Sequence, residues 1–252
     1  MQVDAQSLIG PAVLALYLKD CFLLLRHDEA VLVRGWRGRW RAGFGLRDWQ
    51  LRRREPYLCH PLKPWEPVLR LRWDAAAGPA AAASAPAAAP AGPALGPWVS
   101  LAWLLLFVGL PVAFYGHLGL PVVLTVLAGL YATIAATLVL VWRGRAALGL
   151  AGPDFAVLAF EMLACAPYAA NLVRRLSLHR AVDEDLVAAA TRLLDPPALA
   201  AVHAACLARI DDELEAAPED SPRAVALRAA RPRFEPAIAH DDPESEVPHE
   251  QQ

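Results

Sequence analysis

Two uncharged apolar runs stand back to back in the middle of the chain, Trp98 to Tyr115 and Pro121 to Trp142. They are 18 and 22 residues long, and a bilayer core of about 30 Å takes about 20 helical residues. The pair predicts a transmembrane helical hairpin, closed by Gly116-His117-Leu118-Gly119-Leu120, a turn without Lys or Arg. Arg143 and Arg145 follow the second run directly; Arg70 and Arg72 precede the first across a linker. Positive charge is retained on the cytoplasmic side, so both termini are expected there and the turn outside. Trp98, Trp103, Tyr115 and Trp142 sit near the ends, where amphipathic rings favour the interface. Pro111 frees a carbonyl that a neighbouring helix or a local adjustment must satisfy, and Gly129 lets another helix approach closely. Neither run holds an ionisable residue, which argues against an ion or proton path through them.

Two further stretches compete for membrane status. Leu8 to Leu25 is apolar except for Lys19 and Asp20, and charges near the centre of a span are costly; a buried or interfacial helix is expected. Phe155 to Val173 contains Glu161, Pro167 and Asn171. If it crossed, Arg174 and Arg175 would lie opposite Arg143 and Arg145, so it is expected on the cytoplasmic side, with a break near Pro167.

Before the hairpin the periodicity changes to two. Ala30 to Val33 is a β-prone run. Trp36, Gly38, Trp40, Ala42, Phe44 and Leu46 alternate with Arg37, Arg39, Arg41, Gly43, Gly45 and Arg47. Leu69, Leu71 and Trp73 alternate with Val68, Arg70 and Arg72. Strand geometry sends such sets to opposite faces, predicting a small sheet with an aromatic and an arginine face, the former covered by the helix of residues 8–25. Arg37-Gly38 is alternatively a hairpin turn. Residues 74–97 are Ala/Pro-rich, an extended semi-rigid linker that would leave the N-terminal domain a tethered head.

After the hairpin, helix signals dominate. Asp183 to Asp185 open one helix ending near Leu194. Asp195 with Pro196-Pro197 opens another, reaching about Ala217, with a stripe of Leu199, His203, Cys206, Ile210 and Leu214. Asp211, Asp212, Glu213 and Glu215 crowd its C-terminal turn, the unfavourable end of the helix dipole, and call for a basic partner or fraying. From Pro218 to the end a disordered acidic tail is expected. The predicted class is a mainly α membrane protein: a small β-containing N-terminal cytoplasmic domain (1–73), the linker, the hairpin (98–142), a helical cytoplasmic region (143–217) and the tail (218–252).

Charge adds a division that the net value of −2 conceals. Residues 26–73 hold 12 basic and 5 acidic side chains; from Asp183 onward there are 6 and 16. Heavy use of alanine, arginine and proline matches a GC-rich bacterial genome. The four cysteines, Cys21, Cys59, Cys165 and Cys206, are scattered, which fits a reducing compartment rather than a disulfide framework, and no secretory signal is evident.

Six arginines, Arg37, Arg39, Arg41, Arg47, Arg70 and Arg72, form the candidate site, for anionic membrane lipid or an acidic protein partner, with Trp49 and Trp65 suited to the interface. Arginine interleaved with aromatics also suits nucleic acid, but no nucleic-acid signature accompanies it and that partner is not expected. His203 and Cys206 could meet Cys165 and His179 in a zinc site; the spacing fits no common signature, and no metal or cofactor is expected. Cys59-His60 beside basic residues could carry a thiol of lowered pKa, and Glu161 with Asp154 could do acid–base work. No phosphate loop, nucleophile elbow or HExxH is present. The expected function is a non-enzymatic inner-membrane scaffold or assembly protein whose basic and acidic surfaces recruit partners, lipid or a second copy. The alternatives are an accessory subunit of a transport or secretion complex, and a membrane-surface enzyme using Cys59 or Glu161.

Overall fold

The computed structural model describes residues 5–35, 38–49, 51, 54–73, 92–179 and 185–235. A first helix, α1 (Ala5–Cys21), leads into five short strands: β1 (Phe22–Leu25), β2 (Glu29–Arg34), β3 (Trp40–Gly43), β4 (Glu55–Leu58) and β5 (Val68–Arg72). The first span comprises α2 (Gly92–Leu104), a π-helical turn (Leu105–Gly109) and α3 (Leu110–Tyr115); the second is α4 (Leu120–Gly144). Then follow α5 (Gly152–Ala164), α6 (Ala166–Ala170), α7 (Leu172–His179), α8 (Leu186–Leu193), α9 (Pro196–Ala216) and α10 (Pro222–Ala230). The protein is therefore mainly helical, with a small β-containing N-terminal unit and a helical C-terminal region. Two helices, Ala94–Tyr115 and Leu120–Gly144, are long and apolar enough to cross a membrane. Only 22% and 28% of their most apolar stretches are buried, so they present apolar surface outward instead of filling a soluble core. The first helix starts inside the stretch expected to be linker; residues 74–91 lie outside the described set.

Pro111 explains the π-helical turn. Having no N–H, it cannot close an α-helical bond to the carbonyl four residues back. The chain widens just before it, and the Leu110 amide donates to Leu105, five residues back. The same stretch holds the close helix approach: a Cβ on Gly109 would stand 3.1 Å from Val126, whereas one on Gly129 would meet Leu105 at 3.9 Å. Thr133 and Thr137 satisfy their hydroxyls on carbonyls one turn back.

The helix expected to be buried or interfacial, from residues 8–25, and the segment expected on the cytoplasmic side, from residues 155–173, both run along the spans. Beside the second half of the first span, Gly10 and Val13 of α1 line a crevice with Phe107, Pro111 and Tyr115, and Tyr17 stacks 4.8 Å from Phe107. Thus α1 starts near the turn end of the hairpin and runs antiparallel to the first span. Lys19 and Asp20 fall in its last turn, so the preceding apolar turns pack without a charge among them. Phe155, at the start of α5, stacks 4.9 Å from Trp142; Leu163, near its end, accepts a bond from the Tyr131 hydroxyl at 3.3 Å. The chain breaks at the extended residue Cys165 (φ −140°, ψ 90°), two residues before Pro167, and returns through α6 and α7. Arg174 and Arg175 thereby come back without crossing, which reconciles an apolar segment at the depth of the spans with its terminal arginines.

The strands form an antiparallel three-stranded sheet in the order β3-β2-β5 and a separate β1-β4 pair. Of the two readings around Arg37-Gly38, the hairpin turn is found: the Gly35 amide donates to Arg39 at 2.8 Å, and Gly38 takes φ +74°, where glycine is unstrained. Trp36 and Arg37 lie outside the described residues. The expected alternation is present beyond that turn, but the covers are exchanged. Leu32 and Leu71, with Trp40 and Phe44, pack beneath α8–α10 against Leu186, Cys206, Ile210 and Leu227. Val31, Val33 and Val68, on the opposite face, meet Tyr17 and Cys21 of α1.

Part of the expected disordered tail is ordered. Ala224, Leu227, Ala230 and Phe234 recur three or four residues apart and are buried in the same core. Ser221 caps α10 by accepting from the Ala224 amide, and residues 236–252 lie outside the described set.

Candidate functional site

Three buried carboxylates of the N-terminal unit are each surrounded by cations, and one of them, Glu55, takes its cation from the C-terminal helices. Glu29, at the start of β2, accepts from Arg70, from Arg72 at 3.4 Å and from the Arg26 amide at 2.7 Å. Burial alone would raise its carboxyl; the amide and guanidinium donors outweigh that and hold it below the usual range. Glu66 accepts from Arg41 at 3.1 Å, with Lys63 at 3.6 Å. Glu55 on β4 pairs with Arg209 of α9, and His27 stands 3.4 Å away. Both Glu55 and Arg209 are almost wholly buried, at 3% and 2% side-chain exposure, and the guanidinium lies 4.6 Å from the Phe44 ring. The acidic end of α9 finds the basic partners it called for: Asp211 with Arg231 at 2.9 Å, Asp212 with Arg47, and Glu213 with Arg223 at 2.9 Å.

These contacts redefine the six candidate arginines. Arg41, Arg70 and Arg72 share a sheet face, as the alternation predicts, yet each is committed to a carboxylate of its own chain, and Arg47 to Asp212. Arg39 is exposed beside the tight turn, and Arg37 lies outside the described residues.

Arg174 of α7 is a different kind of cation. It is 1% exposed, and its two terminal nitrogens donate only to neutral acceptors: Cys21 Sγ at 2.9 Å, Asn171 Oδ1 at 2.8 Å, and the carbonyls of His60 and Lys63. Asn171 in turn donates to the Tyr17 carbonyl at 2.9 Å, and the Tyr17 hydroxyl donates to Pro61. One guanidinium thus joins α1, the β4–β5 loop and α7. Trp65 also packs against Gly96 at the start of the first span. The strands are therefore docked on the membrane helices, not held by the linker alone. Beside this cluster, Arg175 bridges Glu161 at 2.5 Å and Asp20 at 3.8 Å and lies 4.5 Å from the Tyr168 ring, which gives Glu161 a structural partner.

A cavity of about 410 Å³ opens between the strands and α7, lined by Val33, Arg41, Tyr57, Cys59, Glu66 and Arg174 among others. Cys59 is 3% exposed, and burial pushes its thiol up to about 11 despite the attraction of Arg174. That is the reverse of the lowered thiol expected from nearby basic residues: desolvation favours the neutral form more than one cation favours the thiolate. His60 Nδ1 accepts from the Leu62 amide at 3.2 Å, a turn contact.

The possible zinc ligands are not assembled, and no group of three or more His, Cys, Asp or Glu suited to a metal ion occurs among the described residues. His203 lies edge-on to Phe234 at 5.9 Å, and Cys206 is a core residue whose thiol burial pushes up to about 12. Cys165 sits at the α5–α6 break and His179 ends α7.

Residue patterns did not single out Glu55, Arg209 or Arg174. For Arg174 a signal existed: Asn171 and Arg174 are one turn apart at the end of an apolar run, a placement that calls for buried partners. No family model, curated protein or solved structure matches the chain.

Proposed function

We propose that this chain is a non-enzymatic assembly protein of the bacterial inner membrane, with its strands and C-terminal helices on the cytoplasmic side. The observation that carries this reading is the shared core of the strands and α8–α10, tied to α1 and α7 beside the hairpin through Arg174. A rigid unit of this kind presents fixed surfaces at the membrane. Arg143 and Arg145 at the end of α4 support the orientation; in that orientation α1, whose Gly10 lies beside Tyr115, would begin on the outer side, unlike the cytoplasmic N-terminus expected from charge alone. The β3–β4 loop supplies the partner surface: Leu46, Trp49 and Leu51 are 61%, 72% and 56% exposed, beside Arg47. Exposed tryptophan flanked by arginine is a composition enriched at binding hot spots. Exposed Arg39 suits anionic lipid or the same partner.

A second reading, an accessory subunit of a transport or secretion complex, is favoured by the outward strip of Val157, Phe160 and Leu163 on α5, with Phe160 72% exposed. Such a strip suits lipid or a partner's helix. Affinity purification from native membranes in mild detergent, with quantitative mass spectrometry, tests both. A stoichiometric partner lost on Trp49→Ser supports the first, and one lost on Phe160→Ala the second. A lone monomer in every preparation overturns both.

A further inference from the structure

We propose that the cavity between β2, β3, β4, β5 and α7 binds a small organic anion, with Arg41 binding its carboxylate or phosphate group beside the buried positive charge of Arg174, against a wall of Val33, Val68 and Tyr57. The inference goes beyond the assembly reading and stands whether or not that reading does.

Charge is its first support. Two guanidiniums and one carboxylate line the cavity. The carboxylate, Glu66, is already shared between Arg41 and Lys63. Among the described residues no carboxylate lies within 4.0 Å of Arg174. Its four bonds go to neutral acceptors, and its Nε, buried, has no partner. Asp20 acts on it only from a distance; a buried cation without a directly paired counterion is costly, and an anion in the adjoining space would offset that cost. The other titratable groups on the wall do not supply it, because burial raises both Cys59 and Tyr57 and so keeps them neutral near pH 7.

Shape supplies the second support. At about 410 Å³ the cavity sits at the small end of the range for small-molecule sites. It would take a compact molecule whole, but only the headgroup of a phospholipid. The mixture of apolar wall and few polar groups is the usual make-up of such sites. Tyr57 lies directly against Gly43, where a Cβ would come within 2.4 Å of its ring, so this wall is fixed in place. The ligand would also touch the cation that ties the β4–β5 loop to α1 and α7, and its binding would stiffen that junction.

The test is calorimetric titration of the full chain, purified in an uncharged detergent. The probes are glycerol 3-phosphate, hexanoate, dihexanoyl phosphatidylglycerol and, as the zwitterionic control, dihexanoyl phosphatidylcholine. Saturable one-to-one binding of an anionic probe is expected, at least fivefold weaker in Arg41→Gln, whose half-exposed side chain leaves Glu66 with Lys63 when replaced, and weaker also in Arg174→Lys, the near-ultraviolet circular dichroism of each variant showing that it is folded. Binding of glycerol 3-phosphate or hexanoate without phosphatidylglycerol assigns a soluble ligand, and the reverse assigns a lipid headgroup. The proposal is overturned if no anionic probe saturates, if phosphatidylcholine binds equally well, or if Arg41→Gln binds like the wild type.

Discussion

Replacing Glu55 by glutamine removes one charge from the buried pair that joins β4 to α9 and leaves the shape of the side chain intact. Arg209, 2% exposed, would keep no charged partner, only neutral ones: the amide oxygen of the new side chain, the Gly45 carbonyl at 3.4 Å and the Phe44 ring at 4.6 Å. Stranding one member of a buried pair costs about 3–5 kcal/mol. The ring offsets on the order of 1 kcal/mol, so a loss of about 3 kcal/mol is expected. Arg209→Met leaves Glu55 with His27 at 3.4 Å and should cost a similar amount. The double variant Glu55→Met/Arg209→Met removes both charges and should lie within about 1 kcal/mol of the wild type, because an apolar pair needs no desolvation. Buried Trp73, which packs 6.2 Å from Phe234 and 6.4 Å from His27, reports the integrity of this core. Its near-ultraviolet circular dichroism, followed through urea unfolding of the full chain in detergent, gives the double-mutant cycle. Single variants that each lose under about 1 kcal/mol, or a double variant that loses their sum, would refute the claim that the strands and C-terminal helices are one charge-locked unit.

Other expected outcomes are as specific. Gly109→Leu should weaken hairpin packing by about 1–3 kcal/mol through overpacking against Val126, whereas Gly129→Ala, with 3.9 Å to its neighbour, should be tolerated; cross-linking between cysteines placed on the two spans distinguishes them. Cys59 and Cys206 are raised in the folded state to about 11 and 12 from 9.0, so the native protein binds extra protons above pH 9. The stabilisation is full below pH 9 and is lost as pH rises towards 11–12. A Cys59→Ala/Cys206→Ala variant should show a shallower alkaline fall in urea stability, and parallel curves would count against the burial argument. In a cysteine-free background, an impermeant maleimide applied to intact cells should label Leu118→Cys but spare Leu62→Cys, both positions being exposed. Labelling of Leu62→Cys with an unreactive Leu118→Cys would invert the orientation.

What could be read along the chain was whatever a local rule dictates. Span length, the period-two alternation around Trp40 and the Asp195-Pro196-Pro197 start are each set within a few residues, and each reappears in three dimensions. Asp195 accepts from the Ala198 amide at 3.0 Å, as a cap should. What escaped was pairing at long range. Excess base near the N-terminus and excess acid near the C-terminus suggested two surfaces waiting for partners, because counting charge carries no register. Folding pairs individual residues across the two halves: exposed Arg47 meets Asp212, and in the buried pair the signs are reversed, Arg209 of the acidic half meeting Glu55 of the basic half, 165 and 154 residues apart. The assignment of α1 to the aromatic face failed for a related reason. An apolar helix of 17 residues can satisfy a sheet or a span, and hydrophobicity alone does not choose; the crevice along Phe107 and Pro111, beside the π-helical turn that Pro111 imposes, takes Gly10 and Val13. The aromatic face then falls to helices that have no membrane to enter. Arg174 completes the same logic in reverse. It was counted as a charge that keeps a segment from crossing, and it does stay on the head side, but by donating to backbone carbonyls rather than facing water. An arginine spent on neutral acceptors has its charge still to be matched, which is why the cavity that it shares with Arg41, and not the arginines already paired with carboxylates, is the place to look for a ligand.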